Sequence, residues 1–184
     1  MNIKILALNG SPRKNGNTEI LLKEILKGAM NFESEIIRLY PKRIEPCMDC
    51  RNCKSHPFSC PVKDDMGELY AKIDQSDIVL FGTPIYFYGP TAKMKLLLDR
   101  LRPYIANKKL FGKKAALVLP SEEGPIACQT TINMFKMSFK YMGMVYIGEI
   151  YGIAYEKGEI INNLDELRLA RNFGEKICDL PIIG

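Results

Sequence analysis

Four cysteines, Cys47, Cys50, Cys53 and Cys60, fall within fourteen residues of a 184-residue chain that holds six in all. Their pattern is Cys-x2-Cys-x2-Cys-x6-Cys. Thiolates are soft ligands that suit zinc and iron–sulfur centres. Ligands two residues apart can wrap a cubane, because a tight loop turns successive sulfurs inward and a fourth closes from a short spacer. In two-cluster ferredoxins a similar run ends Cys-Pro, and that last cysteine serves the other cluster. Here Pro61 also follows Cys60, but there is no second set, so Cys60 must close its own cluster if there is one. Structural zinc accepts four cysteines too, though usually as two separated knuckles. Disulfides, free thiols and a redox-sensing thiol pair are further readings of the same residues. His56 lies inside the loop; it reads as a solvated residue more readily than as a ligand. Cys128 and Cys178 fall on apolar helix faces and read as small buried hydrophobes.

A second candidate for chemistry is Asn9-Gly10-Ser11-Pro12-Arg13-Lys14-Asn15-Gly16-Asn17-Thr18. It joins an apolar run to a helical pattern. Glycines let the backbone approach a ligand closely. Free amides at a helix start, aided by the helix dipole, favour an anion. Ser11, Asn17 and Thr18 can add neutral donors and Arg13 a planar cationic one. The loop lacks the Gly-Lys-Ser/Thr ending of a nucleotide P-loop and the Gly-x-Gly-x-x-Gly of a dinucleotide loop. A phosphate monoester fits it better than a pyrophosphate; an ordinary turn with a helix cap is the plainer reading.

The third candidate is Thr83-Pro84-Ile85-Tyr86-Phe87-Tyr88-Gly89-Pro90. Three successive aromatics cannot all enter one core. Some must meet solvent or a flat conjugated ring, and one of them is expected to pack against a helix or a partner. A phosphate cradle beside an aromatic shelf describes flavin mononucleotide.

These segments need a scaffold that brings them together. Ile3–Leu8, Glu35–Leu39, Asp77–Phe81, Ala115–Leu119 and Val145–Ile150 read as strands. Helical patterns begin near Asn17, Asp65, Thr91 and Asn163 and span 125–142; Asp65 and Glu68 stand at capping-box spacing. Strand and helix alternate five times. Continuous apolar strands joined by helices imply a parallel sheet covered on both faces. The expected fold is α/β, a flavodoxin-like doubly wound five-stranded parallel sheet of order 2-1-3-4-5, with the cysteine-rich loop after strand 2. In such sheets ligands sit beyond the carboxyl ends of strands one and three. One domain over 1–184 is expected, with residues 44–63 as an insertion.

Composition excludes other classes. The chain is 47% hydrophobic and 26% charged, with 26 basic against 21 acidic residues. That is neither a disordered nor a membrane-spanning composition, and the mild positive charge is spread out, unlike a nucleic-acid-binding patch. The N-terminus does not read as a signal peptide, so a cytoplasmic location is expected.

Asn-Gly-Ser-Pro-Arg-Lys-Asn-Gly-Asn-Thr and Pro-Ile-Tyr-Phe-Tyr-Gly-Pro-Thr-Ala-Lys-Met-Lys-Leu-Leu-Leu-Asp-Arg resemble the signatures of flavodoxin-like NADPH-dependent FMN reductases. The resemblance spans essentially the whole chain. It implies that Ser11, Arg13, Asn17 and Thr18 hold the FMN phosphate, and that Pro84, Ile85, Tyr86 and Phe87 lie beside the isoalloxazine. It also implies that Pro120–Gly124, through Ser121 and Gly124, closes over the flavin, although Glu122 and Glu123 depart from the family's small residues. Leu98-Asp99-Arg100 would lie near a subunit interface. The cysteine motif resembles the iron–sulfur flavoprotein branch, which implies a 4Fe-4S cluster on Cys47, Cys50, Cys53 and Cys60.

The function so implied is an FMN-dependent oxidoreductase passing electrons between a reduced carrier, ferredoxin-like or NAD(P)H, and a small acceptor. A cluster-free NAD(P)H-dependent FMN or quinone reductase and a non-enzymatic electron shuttle are the alternatives. A homodimer or homotetramer is expected. The cysteine loop follows an outer strand, so its cluster is expected to serve a flavin across a subunit interface.

Overall fold

The computed structural model describes residues 3–178, without the side chain of Cys178. The expected burial of Cys178 and the helix end at Asp179 therefore lie outside the described residues. The elements are β1 (Lys4–Asn9), α1 (Asn17–Gly28), β2 (Glu33–Arg38), α2 (Met66–Gln75), β3 (Ile78–Gly82), β4 (Ile85–Tyr86), β5 (Gly89–Pro90), α3 (Ala92–Arg100), α4 (Pro103–Asn107), β6 (Lys114–Ser121), α5 (Pro125–Met142), β7 (Val145–Ile153) and α6 (Leu164–Cys178). Single 3-10 turns occupy Asn52–Lys54 and Glu159–Asn162.

The main sheet has the order β2-β1-β3-β6-β7, and each neighbouring pair is parallel. Because β4 and β5 form a separate antiparallel hairpin, this is the expected 2-1-3-4-5 order. Side chains alternate across the sheet. Leu6, Leu8, Val79, Phe81, Leu117 and Leu119 bury one face with α2, α3 and α5. Ile5, Ala7, Ile78, Leu80, Ala116 and Val118 bury the other with α1 and α6. Covering both faces makes the central strands apolar throughout, which is why they read so plainly.

Short and polar features read less well. The hairpin was expected only as a loop, and α4 had no counterpart; it is five residues long with Pro103 at its first position. Asp65 stands at the N-cap position of α2, as expected, but its side chain makes no capping hydrogen bond. Its carboxylate accepts from the Arg43 backbone N–H at 2.7 Å, while Asp64 accepts from Met66 N–H at 3.1 Å.

Candidate functional site: two clefts joined by one helix

The carboxyl ends of β1, β3 and β6 open into a cleft of about 230 Å³. Ser11, Arg13, Asn17, Thr18, Pro84, Ile85, Tyr86 and Ser121 line it. All eight are sequence-expected residues, and three segments far apart in the chain bring them together. The loop after β1 is held close to β3 because Gly10 N–H donates to Gly82 O at 2.8 Å. A Cβ on Gly10 would stand 2.9 Å from Met94 Cβ, so only glycine fits there. Thr91 ties this corner to α3: its hydroxyl donates to Gly10 O at 2.7 Å, and its N–H donates to the Thr83 hydroxyl at 3.0 Å.

The polar residues of the first loop divide by role. Both side-chain atoms of Asn17 are committed: Nδ2 donates to Glu156 O at 2.8 Å, and Oδ1 accepts from Ile160 N–H at 3.2 Å. Asn17 is a strut that holds the loop after β7, instead of the free donor expected. Arg13 Nη1 donates to Tyr155 O at 2.8 Å, leaving its other donors available. Thr18 is different. Its hydroxyl is buried and has no hydrogen-bond partner, and leaving a buried polar group unmet costs about 1–3 kcal/mol. An oxyanion in the cleft would satisfy it. Glu19 on α1 is oriented away from this role by Lys23 at 2.8 Å and by the Asn15 N–H at 2.9 Å. Burial alone would raise its pKa, but these contacts outweigh that and hold its carboxyl below the ordinary value.

Two expected residues are not among the lining. Phe87 sits at the tip of the β4–β5 hairpin and is wholly exposed; a two-residue turn points its central side chains outward. Phe87 and Tyr88 both adopt left-handed backbone, at φ 49° and 61°, which costs energy for non-glycine residues. No member of the Tyr86-Phe87-Tyr88 run is buried within the chain. Gly124 (φ 66°) instead shapes the turn after β6, where the Ser121 hydroxyl donates to Gly124 O at 2.9 Å. Sequence reasoning missed Ala154 and Tyr155, which also line the cleft. Their signal was positional: they follow the carboxyl end of the last strand, on the ligand edge of the sheet.

The second cleft, a cavity of about 20 Å³, is lined by Cys47, Cys50, Cys53 and Cys60 together with Arg100, Arg102 and Pro103. Cys53 is buried, Cys60 half-buried, and Cys47 and Cys50 exposed. Left-handed backbone at Asp49, Arg51 and Phe58 bends the loop on itself. Burial pushes the Cys53 thiol up; Arg102 opposes this, and Cys60 and Cys47 add to it. Among the described residues, no three His, Cys, Asp or Glu side chains are gathered into a group that could hold a metal ion. One zinc ion bound at about 2.3 Å by each sulfur needs a tight tetrahedron, and a cubane spreads its ligands more widely. The donor set, four thiols lining one cleft together with two guanidinium groups, has the chemistry of a soft-metal site, zinc or iron–sulfur alike.

The base of this loop is clasped by a buried ion pair. Arg100 Nη1 and Nη2 meet Asp64 at 2.6 and 3.1 Å, with side chains 1% and 0% exposed. Asp64 also accepts from Glu45 N–H at 2.8 Å, and Arg100 donates to Glu45 O at 2.8 Å. Burial raises the Asp64 pKa, but the Arg100 and backbone donors outweigh it and hold the carboxyl below its usual range. The pair went unread in the sequence, although Arg100 stands three residues after Leu97 on the buried stripe of α3, and a charge there demands a partner.

Comparison with known proteins shows the family. Residues 3–157 match the NADPH-dependent FMN reductase family. An iron–sulfur flavoprotein of Methanocaldococcus jannaschii is 31% identical over 188 residues, covering 97% of each chain. An iron–sulfur flavoprotein of Archaeoglobus fulgidus is 31% identical over 179 residues, covering 96% of this chain and 80% of the relative. The solved structure of the Trp repressor binding protein from Bacillus subtilis superposes with a TM-score of 0.70 at 28% identity, covering 92% of this chain and 98% of that one. The chain therefore belongs to the NADPH-dependent FMN reductase family of flavin-dependent oxidoreductases, in its iron–sulfur flavoprotein branch.

Proposed function

We propose that the larger cleft binds FMN and that the cysteine cleft holds a 4Fe-4S cluster, so that the protein passes electrons between a reduced carrier and a small acceptor. The observation that carries this reading is the partnerless Thr18 hydroxyl at the start of α1, inside a cleft built from the ends of β1, β3 and β6. Ser11, Thr18, the free donors of Arg13 and the first-turn amides would bind the phosphate. Pro84, Ile85 and Tyr86 would form one wall for the ring, and Pro120, Ser121 and Glu122 another. Bound FMN supplies one- and two-electron chemistry and a cluster one-electron chemistry. The residues bind, orient and insulate; among those lining the cleft no acid–base dyad is assembled, and none is needed.

α3 spans nine residues from the Thr91 corner to the cysteine clasp, a rise of about 12 Å. The two clefts thus lie at opposite ends of one helix. A second copy of the chain can bring a cysteine cleft nearer to a flavin than a protomer can alone, which favours a homodimer or homotetramer working across its interface. A ferredoxin-like protein or NAD(P)H would be the donor. The cluster-free NAD(P)H-dependent reductase is the second reading, favoured by the loose gathering of the cysteines.

Anaerobic purification with FMN, iron, sulfide and zinc assays, and spectra before and after reduction, tests the proposal. One FMN with four irons and four sulfides per chain is expected. A colourless protein overturns both parts, and FMN without iron leaves the second reading.

A further inference from the structure

Two guanidinium groups face the cysteine cleft, and each has a donor that its neighbours do not use. Arg100 and Arg102 both line that cleft. Arg100 spends Nη1 and Nη2 on Asp64 and Glu45, and Arg102 spends Nη1 on Asp49 at 2.8 Å. The Nε atoms of both are buried and have no hydrogen-bond partner. A planar guanidinium whose outer nitrogens grip a carboxylate holds its Nε–H in a fixed direction. Two such fixed, unmet, cationic donors at one cleft call for an anionic acceptor. The same cleft is lined by the thiols of Cys47, Cys50, Cys53 and Cys60.

We propose that the Nε–H groups of Arg100 and Arg102 donate to the sulfur atoms of the cluster held by Cys47, Cys50, Cys53 and Cys60, and raise its reduction potential. This rests on the cluster assignment above. Hydrogen bonds to cluster sulfurs and local charge are what set such potentials. Reduction adds negative charge, so a fixed donor stabilises the reduced state more than the oxidised one. The two arginines act unequally on stability. Arg100 also clasps the loop, whereas Arg102 pairs with an exposed carboxylate, so Arg102 is the position at which potential can be changed without unfolding the site.

The test uses anaerobically purified, full-length protein, reconstituted with iron and sulfide. Iron and sulfide are counted, and the midpoint potential is titrated by low-temperature electron paramagnetic resonance. Arg102→Gln removes charge and the Nε donor; Arg102→Lys keeps the charge without the planar donor. We expect both to retain the parent's iron and sulfide. The equilibrium constant for reduction should fall at least tenfold in Arg102→Gln, about 59 mV for one electron, and by less in Arg102→Lys. Asp49→Asn, which frees Arg102 of its partner, should not lower the potential. Potentials equal to the parent's in both Arg102 variants overturn the proposal. Loss of iron from both overturns it too, because the arginine is then a prop for the loop. A parent that takes up no iron and sulfide overturns the cluster assignment itself, a failure visible before any variant is made.

Discussion

Thr18 concentrates the argument for the flavin site into one atom. Its hydroxyl is buried without a partner while its neighbours Asn17 and Glu19 are fully engaged. In the free protein that hydroxyl is a burden, and it becomes useful only when an acceptor enters. Thr18→Val should therefore leave the ligand-free melting temperature unchanged or slightly raised. It should weaken FMN by the worth of a hydrogen bond to a charged group, about 1.5–3 kcal/mol, roughly tenfold or more in dissociation constant. Calorimetry and quenching of flavin fluorescence read the two quantities separately; a loss of stability without a loss of affinity would sink the assignment. The sequence displayed Ser11, Arg13, Asn17 and Thr18 as equals, because residue type and spacing show which atoms can donate. They do not show which donors the fold has already used, and that is why Asn17 emerged as a strut and Thr18 as the free group.

Elements were legible in proportion to how completely they are buried. β3 is buried along its whole length and announces itself by an unbroken apolar run; α4 and the β4–β5 hairpin are short, partly exposed and leave no period. Ion pairs are harder still, since the partners Asp64 and Arg100 are 36 residues apart and only the tertiary fold joins them. Their energetic role can be checked directly. Removing one member of a buried pair costs about 3–5 kcal/mol, so Asp64→Asn should lower stability by that order and loosen the cysteine loop, seen as faster alkylation of Cys53. The folded-state pKa of Asp64 lies below its ordinary value of about 4. Its stabilisation is thus complete above that ordinary value and is lost as pH falls through the lower folded value. The variant should show a flatter acid limb in denaturant titrations, though not a flat one, since Glu19 and Glu24 are lowered as well. Helix contacts set a second limit. α1 and α6 touch backbone to backbone: a Cβ on Gly174 would stand 1.9 Å from Ile25 O, and one on Gly28 2.0 Å from Arg171 O. Gly174→Ala raises helix propensity yet must push the helices apart, so the expected result is a net destabilisation of about 3 kcal/mol; a stabilised variant would show that α6 does not pack where it is placed.

At the scale of the whole molecule, the separation of the two clefts sets the prediction. Within one chain they stand at opposite ends of α3. Beside the cysteine cleft, α3, α4 and α5 frame an open groove lined by Leu98, Ile105, Met134 and Tyr141, and Asp99 and Arg102 border both spaces. Tyr141 is 69% exposed and the adjacent Met137 73%, so the groove is an apolar surface left in water by the lone chain. A second copy seated there would cover it and bring new walls beside the cysteines. Charge is the least disruptive way to prevent this. Tyr141→Glu places a carboxylate on an exposed helix face, where the fold has no stake in it; sedimentation should give monomers for the variant and the proposed dimer or tetramer for the parent. FMN binding should persist, because the flavin cleft draws only on the loops after β1, β3, β6 and β7. Electron exchange between the proposed cluster and the flavin, followed by stopped-flow absorbance, should slow sharply in the monomer. Exchange at the parent's rate in a proven monomer would mean that α3 spans the distance unaided and that the interface has no part in the reaction.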